Sequence, residues 1–274
     1  KRKDLIEQLA NQKEFCFDTE TTGLNPLTAE IVGLAFSFRS HHAFYIPFPA
    51  DLDAAKELFE EFRVVLENQK IRKIGQNIKY DISILKQYSI DVKGDIFDTM
   101  IAHYLMQPSL RHNLNYLCEQ YLGYKTISIE ELIGKKGAKQ DSMRNVPAER
   151  ITDYACEDAD LTFQLKEIFE PELEKNYLDN LALSLEMPLI PVLAEMEQSG
   201  IKVDTNALNE FAKELNKELI KIEEKILKQS GVQFNISSPK QLGEVLFDHM
   251  KLDPNAKKTK TKQYSTSEDT LQKL

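Results

Sequence analysis

Three short segments near the beginning of the chain limit its fold more than any other feature of the sequence. Residues 14–18, 30–38 and 43–48 are rich in the Phe, Ile, Val and Tyr side chains that favour β-strands. The gap between the second and the third segment is short, which suits an antiparallel meander. We therefore expect three strands before the first long helix of the chain.

Helical patterns begin after these strands. Residues 51–69 place apolar side chains at helical spacing, and Asp51 is a suitable N-cap for that helix. A short strand is expected at 71–75, followed by a helical pattern at 79–88. Three strands, a helix, a strand and a helix describe an α/β domain with a mixed sheet.

The remainder of the chain is predicted to be mainly helical. The helical patterns lie at 98–121 with a break near Pro108, from Pro147 to about Glu170, at 181–199 with a kink or split around Pro188 and Pro191, and at 205–229. The polar segment 134–145 and the Lys/Thr/Ser-rich segment 253–268 are expected to be loops, the second of them basic and flexible.

Composition and charge exclude several classes of protein. The net charge is −9, and it is unevenly distributed: residues 1–199 hold 22 Lys and Arg against 33 Asp and Glu. This acidic excess argues against a protein that simply coats DNA phosphates, and it leaves open an enzyme whose acidic groups bind metal. No apolar run approaches the ~18 residues of a membrane helix, so we expect no membrane association. Three widely spaced cysteines and a charged start indicate a reduced, cytoplasmic protein.

The first candidate site is Asp18-Thr19-Glu20, at the predicted end of the first strand. Residues two apart in a strand point to the same face, so the two carboxylates can converge just past the strand end. Two adjacent carboxylates repel unless a cation lies between them, and Mg²⁺ prefers oxygen ligands. The alternative interpretation is a solvated acidic turn.

The second candidate is the segment from Gly75 to Asp81. Asn77 can cap the helix that follows, and Asp81 lies one turn later on roughly the same face. The alternative is a capped helix whose first-turn acid is stabilised by the helix dipole.

The third candidate is the segment from Tyr154 to Asp160, inside the long helix that starts at Pro147. Tyr154 and Asp158 are four residues apart and share a face. Ala155 and Ala159 leave the neighbouring helix surface thin, which permits close approach of another element. The alternative is an ordinary acidic surface helix.

The order of the three motifs is more specific than any one of them. Together they closely resemble the three exonuclease motifs of the DEDD superfamily. The matching segments are Phe-Asp-Thr-Glu-Thr-Thr-Gly-Leu, Gly-Gln-Asn-Ile-Lys-Tyr-Asp and Tyr-Ala-Cys-Glu-Asp-Ala-Asp. A tyrosine four residues before the motif's catalytic aspartate, here Tyr154 before Asp158, is typical of the DEDDy branch. Further segments are similar to bacterial family-A DNA polymerases. They lie around Asp98, Arg111 and Glu130, and later at 195–204, 234–242 and 258–268.

This resemblance implies a ribonuclease H-like exonuclease domain at 1–178, with a mixed five-stranded sheet flanked by helices. It implies that 179–274 is the helical beginning of the polymerase domain, an incomplete thumb. The family's palm and fingers are expected beyond Leu274, and no 5′ nuclease region is expected within this chain.

The resemblance also assigns roles to individual residues. In the family, two divalent ions, Mg²⁺ or Mn²⁺, promote hydrolysis of the 3′-terminal phosphodiester and release of a 5′-mononucleotide. One ion would be bound by Asp18, Glu20 and Asp158, and the second by Asp18 and, through water, Asp81. Tyr154 and Glu20 would orient the attacking water. The substrate-binding positions would be Thr19, Leu24, Gln76 and Asn77, with Leu24 as a wedge beside the terminal base.

Such contacts do not read base identity, so the expected partner is DNA with a single-stranded or frayed 3′ end, bound by a monomer. The candidate phosphate contacts are Lys135, Lys136, Lys139 and the lysines of 257–262.

Two alternatives remain open from the sequence. DEDDy ribonucleases share the three motifs, although the polymerase-like segment at 195–268 argues against that reading. A catalytically silent scaffold is the second alternative, and the presence of all five catalytic positions argues against it.

Overall fold

A computed structural model describes residues 1–137, 140–259 and 262–274 of the chain. The chain divides into two compact units, Lys1–Gly200 and Ile201–Leu274. The elements of the first unit, in chain order, are α1 (Arg2–Ala10), β1 (Glu14–Thr21), β2 (Ile31–Arg39), β3 (His42–Pro47), α2 (Leu52–Leu66), β4 (Arg72–Gly75), α3 (Ile78–Gln87), β5 (Ile96–Asp98), α4 (Thr99–Met106), α5 (Leu114–Leu117), α6 (Ile129–Ile133), α7 (Ala148–Lys175), α8 (Asp179–Leu181) and α9 (Met187–Ser199).

The first unit is built on a five-stranded sheet with the strand order β3-β2-β1-β4-β5. β2 pairs antiparallel with both β1 and β3, whereas β4 is parallel to both β1 and β5. The predicted mixed sheet of an α/β domain is therefore confirmed. The parallel neighbours place the carboxyl ends of β1, β4 and β5 at one edge of the sheet, beside the start of α3 and of α4.

The core lies between the sheet and its helices. The Phe15 and Phe36 rings pack edge to face with centroids 5.7 Å apart, and Phe62 of α2 stacks on Phe36 at 5.3 Å. α7 packs across β1, β2 and β3. An ion pair also joins this helix to the sheet, since the buried Lys166 of α7 lies 2.5 Å from the half-buried Glu14 of β1.

The boundaries of several elements differ from the predicted ones. β1 does not end at Asp18 but continues to Thr21, because Thr19, Glu20 and Thr21 keep pairing with β2. Threonine is β-branched and fits an extended strand, which the turn-like sequence concealed. α7 continues past its predicted end to Lys175, and the pattern analysis does not predict α1.

The predicted break in the 181–199 helix is present, but it precedes Pro188 and Pro191 instead of falling at them. A π-helical turn, Ala182–Glu186, separates α8 from α9, and Pro191 lies inside α9. The break near Pro108 is also confirmed, since α4 ends at Met106 and α5 begins at Leu114.

The second unit begins with α10 (Thr205–Ser230), the predicted long amphipathic helix. It continues with α11 (Pro239–Gly243), a π-helical segment (Glu244–His249) and α12 (Glu268–Leu271). Within the basic segment, Lys258 and Tyr264 form an isolated antiparallel bridge, and the Lys258 ammonium lies 4.3 Å from the Tyr264 ring centroid. Lys258 and Tyr264 are therefore paired within the segment that was predicted to be a flexible loop. Over the residues that the structure describes, no helix is long and apolar enough to cross a membrane.

Candidate active site

Asp18 and Glu20 lie within β1 and not beyond its end. Both point to the same face of the sheet because they are two residues apart. On one side the strand pairs with β2, where Asp18 faces Ala35 and Glu20 faces Gly33. On the other side the pairing with β4 stops at Cys16. The Asp18 and Glu20 carboxylates therefore lie on the part of β1 that extends beyond its pairing with β4, where this edge of the strand is open.

Asp81 comes from the first turn of α3 and lies beside this open edge. Its Oδ1 accepts hydrogen bonds from the Thr19 backbone N–H at 3.0 Å and from the Thr19 hydroxyl at 2.5 Å. The aspartate is 3% exposed. The position of α3 therefore brings a third carboxylate beside β1.

The predicted capping of α3 by Asn77 is wrong at the level of the side chain. Asn77 occupies the N-cap position in the left-handed conformation, with φ of 57°, and its side chain makes no capping bond. The side chain of Asp98 takes that role, since its Oδ2 accepts from the Ile78 N–H at 2.7 Å. Its Oδ1 also caps α4, accepting from Met100 at 2.8 Å and Ile101 at 3.1 Å. One buried carboxylate thus holds the start of both helices.

α7 supplies Tyr154 and Asp158. Ala155 and Ala159 are completely buried, which confirms that small side chains let another element approach this part of the helix. Asp158 thereby reaches the face of β1 that carries Asp18 and Glu20. The three residues each offer one carboxylate oxygen, and these oxygens all lie within 4.8 Å of one another. We call Asp18, Glu20 and Asp158 the carboxylate cluster; Asp81 lies outside it.

Burial and mutual repulsion raise the pKa values of these carboxyl groups. Burial raises the pKa of Asp18 to about 6. Burial and the charge of Asp18 hold the pKa values of Glu20 and Asp158 well above their usual range. The pKa of Asp81 is raised for the same two reasons, although its hydrogen bonds from Thr19 oppose the shift. Among the described residues, no lysine or arginine forms an ion pair with these four groups.

The chemistry of the cluster fits a hard divalent cation. Glu20 Oε1 is buried and has no hydrogen-bond partner in the described part of the chain. A buried carboxylate oxygen without a donor is costly unless a ligand binds it. Three oxygen donors at this spacing, with no ion pair to a lysine or arginine in the described ranges, are the ligands that Mg²⁺ and Mn²⁺ prefer.

A cleft of about 440 Å³ opens onto the cluster. It is bounded by the end of β1, α3, the segment around α6 and α7. Leu24 lies at its edge with an exposed fraction of 83%. The segment carrying Leu24 is tied down by Tyr80, whose hydroxyl donates to the Gly23 carbonyl at 2.6 Å and contacts the Thr21 hydroxyl at 2.5 Å.

The predicted substrate-binding residues lie in different surroundings. Leu24 and Thr19 line the cleft, but the Thr19 hydroxyl is bonded to Asp81. The Gln76 amide is turned into the protein, where its nitrogen donates to the His112 carbonyl at 2.7 Å and its oxygen accepts from Thr99. Asn77 is exposed.

The candidate phosphate-binding lysines are also divided. Lys136 lines the cleft. Lys135 is exposed and does not line it. The lysines of 257–262 belong to the second unit. Lys139 and Lys260 lie outside the described residues.

Pattern reasoning missed two residues that shape this site. Tyr80 was present in the second motif, and its place next to Asp81 was the only available signal. Asp98 is the first residue of the helical pattern predicted at 98–121, and an acid at the start of a helix is a recognised capping signal. Its link to α3, 20 residues earlier, depends on the parallel pairing of β4 and β5.

Comparison with known protein families agrees with this geometry. Residues 1–174, more than half of the chain, match the family model described as 3′–5′ exonuclease. The chain belongs to the 3′–5′ exonuclease family. Residues 205–274 match the model described as DNA polymerase family A. The resemblance inferred from the three motifs is thereby confirmed.

Curated relatives extend the match over nearly the whole chain. DNA polymerase I of Borreliella burgdorferi is 41% identical over 264 residues, covering 94% of this chain and 28% of the relative. DNA polymerase I of Pseudomonas aeruginosa is 36% identical over 280 residues, covering 98% of this chain and 30% of the relative. The chain therefore spans less than a third of the length of these relatives.

Solved structures support the fold. The POL domain of Pol1 from M. smegmatis, in complex with DNA primer-template and dNTP, has a TM-score of 0.74 at 24% identity, covering 99% of this chain and 43% of that one. NrnC of Brucella melitensis with bound Mg²⁺ has a TM-score of 0.58 at 23% identity, covering 72% of this chain and 90% of that one. The predicted ribonuclease H-like fold is confirmed, and residues 1–174 form a 3′–5′ exonuclease domain.

Proposed function

We propose that this domain removes the 3′-terminal nucleotide of DNA by hydrolysis and releases a 5′-mononucleotide. Water attacks the terminal phosphorus, the bond from phosphorus to the 3′ oxygen breaks, and that oxygen takes up a proton. The observation that carries the proposal is the carboxylate cluster, in which buried Glu20 Oε1 has no donor among the described residues. The residues proposed to carry the reaction are Asp18, Glu20, Asp81, Tyr154 and Asp158.

The proposed cofactor is a pair of divalent cations, Mg²⁺ or Mn²⁺. Asp18, Glu20 and Asp158 would hold the first, and their oxygens are within 4.8 Å of one another. Asp18 and Asp81 would hold the second, with Asp81 acting through water. When bound, such cations lower the pKa of water and stabilise negative charge on the leaving oxygen.

Tyr154 is proposed to orient the attacking water by a hydrogen bond. Burial and the charges of Asp158 and Glu20 raise the pKa of its hydroxyl, so it keeps its proton at neutral pH. A protonated hydroxyl next to Asp158 can donate to that carboxylate or accept from water. Glu20 Oε1, which has no hydrogen-bond partner among the described residues, would be the second group to accept a hydrogen bond from the water.

The proposed substrate end is single-stranded or frayed DNA. The cleft of about 440 Å³ has an apolar edge at Leu24 and a cationic side chain at Lys136. These groups suit stacking with a base and contact with a phosphate, neither of which selects a base. An unpaired terminus also costs less free energy to bring into the cleft than a paired one, which favours removal of mismatched ends.

We also propose the organisation of the parent protein. Residues 1–178 would form the exonuclease domain and 179–274 the beginning of a polymerase domain. The family matches at 1–174 and 205–274 support this division. The parent would be a DNA-directed DNA polymerase, as its relatives' names suggest. The proposal that it is a monomeric, cytoplasmic protein of replication and repair rests on the family resemblance alone.

A 5′-labelled single-stranded DNA tests the proposal, with an RNA of the same sequence as the matched substrate. We expect Mg²⁺- or Mn²⁺-dependent shortening of the DNA from its 3′ end and release of 5′-mononucleotides. Shortening confined to RNA would favour the ribonuclease alternative. No shortening of either substrate by folded protein would favour a silent scaffold.

A further inference from the structure

Thr19 lies between the two carboxylates of β1, and its side chain makes a contact that the proposed reaction does not explain. Its hydroxyl donates to Asp81 Oδ1 at 2.5 Å, and its backbone N–H donates to the same oxygen at 3.0 Å. Thr19 is 7% exposed and Asp81 is 3% exposed. A hydroxyl whose proton is donated to a buried carboxylate cannot also donate to a nucleotide.

The open edge of β1 explains this contact. Parallel pairing with β4 stops at Cys16, so the Thr19 N–H has no strand partner on that side. Asp81, from the first turn of α3, takes the place of that partner. Residues in a strand alternate between faces, so the Thr19 side chain leaves β1 opposite to Asp18 and Glu20 and is free to bind Asp81.

Asp81 needs such support. Asp18 is the charged neighbour that acts on it most strongly, and the two carboxylates repel each other. Two donors on one oxygen fix both the position and the plane of the Asp81 carboxylate against this repulsion. Groups that orient metal ligands in this way usually contribute strongly to metal affinity.

We propose that Thr19 is a positioning residue, which holds Asp81 beside Asp18 for the binding of a divalent cation and does not itself bind the nucleotide. This inference rests on the proposed function, because it assumes that Asp81 serves a cation.

The test measures Mn²⁺ binding to the metal-free protein without DNA. The electron paramagnetic resonance signal of free Mn²⁺ reports how much of the ion remains unbound. Asp81→Asn first defines the part of the binding that depends on Asp81. Thr19→Val removes the hydroxyl and keeps the side-chain shape, and we expect it to raise the half-saturating Mn²⁺ for that part about tenfold. Thr19→Ser keeps the hydroxyl and should stay within about threefold of wild type.

Two further variants separate positioning from a general structural effect. In the Asp81→Asn background, Thr19→Val should cause no additional loss, because the two residues act as one unit. Thr126→Val makes the same change at a threonine that is also 7% exposed and should leave Mn²⁺ binding unchanged. If Thr19→Val does not fold, Thr19→Ala replaces it with the same expected weakening.

The inference is overturned if Thr19→Val binds Mn²⁺ like wild type, if Thr19→Ser is as weak as Thr19→Val, or if no Mn²⁺ binding depends on Asp81. Shortening of DNA by the wild type is measured separately. Thr19-dependent Mn²⁺ binding without DNA shortening would contradict the proposed function and still support the positioning role.

Discussion

Lys73 is a completely buried lysine whose ammonium group donates to three backbone carbonyls. Its partners are Asn68 at 2.6 Å, Ile71 at 2.8 Å and Lys93 at 2.6 Å. We expect Lys73→Met to lower the free energy of unfolding by about 2–4 kcal/mol, because buried carbonyls lose their donor. Urea denaturation measures this loss. The control is Lys70→Met, at an exposed lysine three residues before Lys73, which should change the free energy of unfolding by less than about 0.5 kcal/mol. Equal effects of the two changes would contradict the role of the buried ammonium.

Asp18 should make the stability of the cation-free protein depend on pH. Its folded pKa of about 6 lies above its ordinary value of 3.8, so the folded state holds the proton more tightly than the unfolded state. Its favourable contribution is therefore present at low pH and is lost as pH rises through about 6. We expect Asp18→Asn in the presence of chelator to be more stable than wild type at pH 7.5, by about 1–3 kcal/mol.

Thermal melting at pH 4.5 and pH 7.5 checks this prediction. The advantage of Asp18→Asn should shrink at the lower pH, where the wild-type carboxyl is protonated in the folded state. An advantage that stays constant between the two pH values would show that repulsion at Asp18 is not its cause.

Single residues were predictable where a motif carried them and unpredictable where a distant partner sets their role. The first and third motifs of the sequence carry Asp18, Glu20 and Asp158, and the fold brings these residues together. The hydroxyl of Thr19 and the amide of Gln76 instead bind groups 62 and 36 residues away. No local pattern reports such a partner, because hydrogen bonding across elements depends on the finished sheet.

At the scale of elements, Asp98 joins β5 to the beginnings of α3 and α4. Three backbone N–H groups donate to its buried carboxylate. We expect Asp98→Ala to cost about 3–4 kcal/mol of unfolding free energy and to lower exonuclease activity, because α3 carries Asp81. Asp51→Ala removes the single cap bond of α2 and should cost about 1 kcal/mol.

Chemical denaturation of Asp98→Ala and Asp51→Ala tests this difference in unfolding free energy. Asp98→Asn tests whether both carboxylate oxygens are needed, since an amide keeps only one accepting oxygen. Asp98→Asn should lie between wild type and Asp98→Ala. Equal costs for Asp98→Ala and Asp51→Ala would mean that the double cap contributes no more than one ordinary cap.

The type and order of the elements followed from hydrophobic spacing, but some boundaries did not. β1 extends through Thr21 because β2 continues to pair with it. The Asn77 side chain makes no capping bond to α3, and the Asp98 side chain accepts from the Ile78 N–H instead. Both outcomes depend on tertiary contacts that override local preference.

For the whole molecule, divalent cations should stabilise the fold by binding to its native state. At a Mn²⁺ concentration about 100 times the dissociation constant, the expected gain is about 2.7 kcal/mol. This corresponds to a rise in Tm on the order of 5–10 °C for a chain of this size. Asp158→Asn, which removes one ligand of the carboxylate cluster, should show a smaller rise in the same titration. A wild-type Tm that does not respond to Mn²⁺ would argue against a preformed site.

The family and the mixed five-stranded fold were predictable because three motifs occur in a fixed order along one chain. The location of the cleft was not, since it depends on how α6 and α7 meet the end of β1. The pairing of Lys258 with Tyr264 was also unexpected, because a composition rich in lysine and threonine suggests only flexibility.

The central claim is that the carboxylate cluster is the catalytic centre of a DNA exonuclease. The most direct measurement compares wild type, Asp18→Ala and Asp153→Ala on 5′-labelled single-stranded DNA with Mg²⁺ or Mn²⁺. Asp153 is an exposed acid on the same helix as Asp158 and serves as the matched control. We predict shortening from the 3′ end by wild type and Asp153→Ala, its loss with chelator, and a decrease of about a thousandfold or more for Asp18→Ala. Folded Asp18→Ala that shortens DNA at the wild-type rate would contradict the claim.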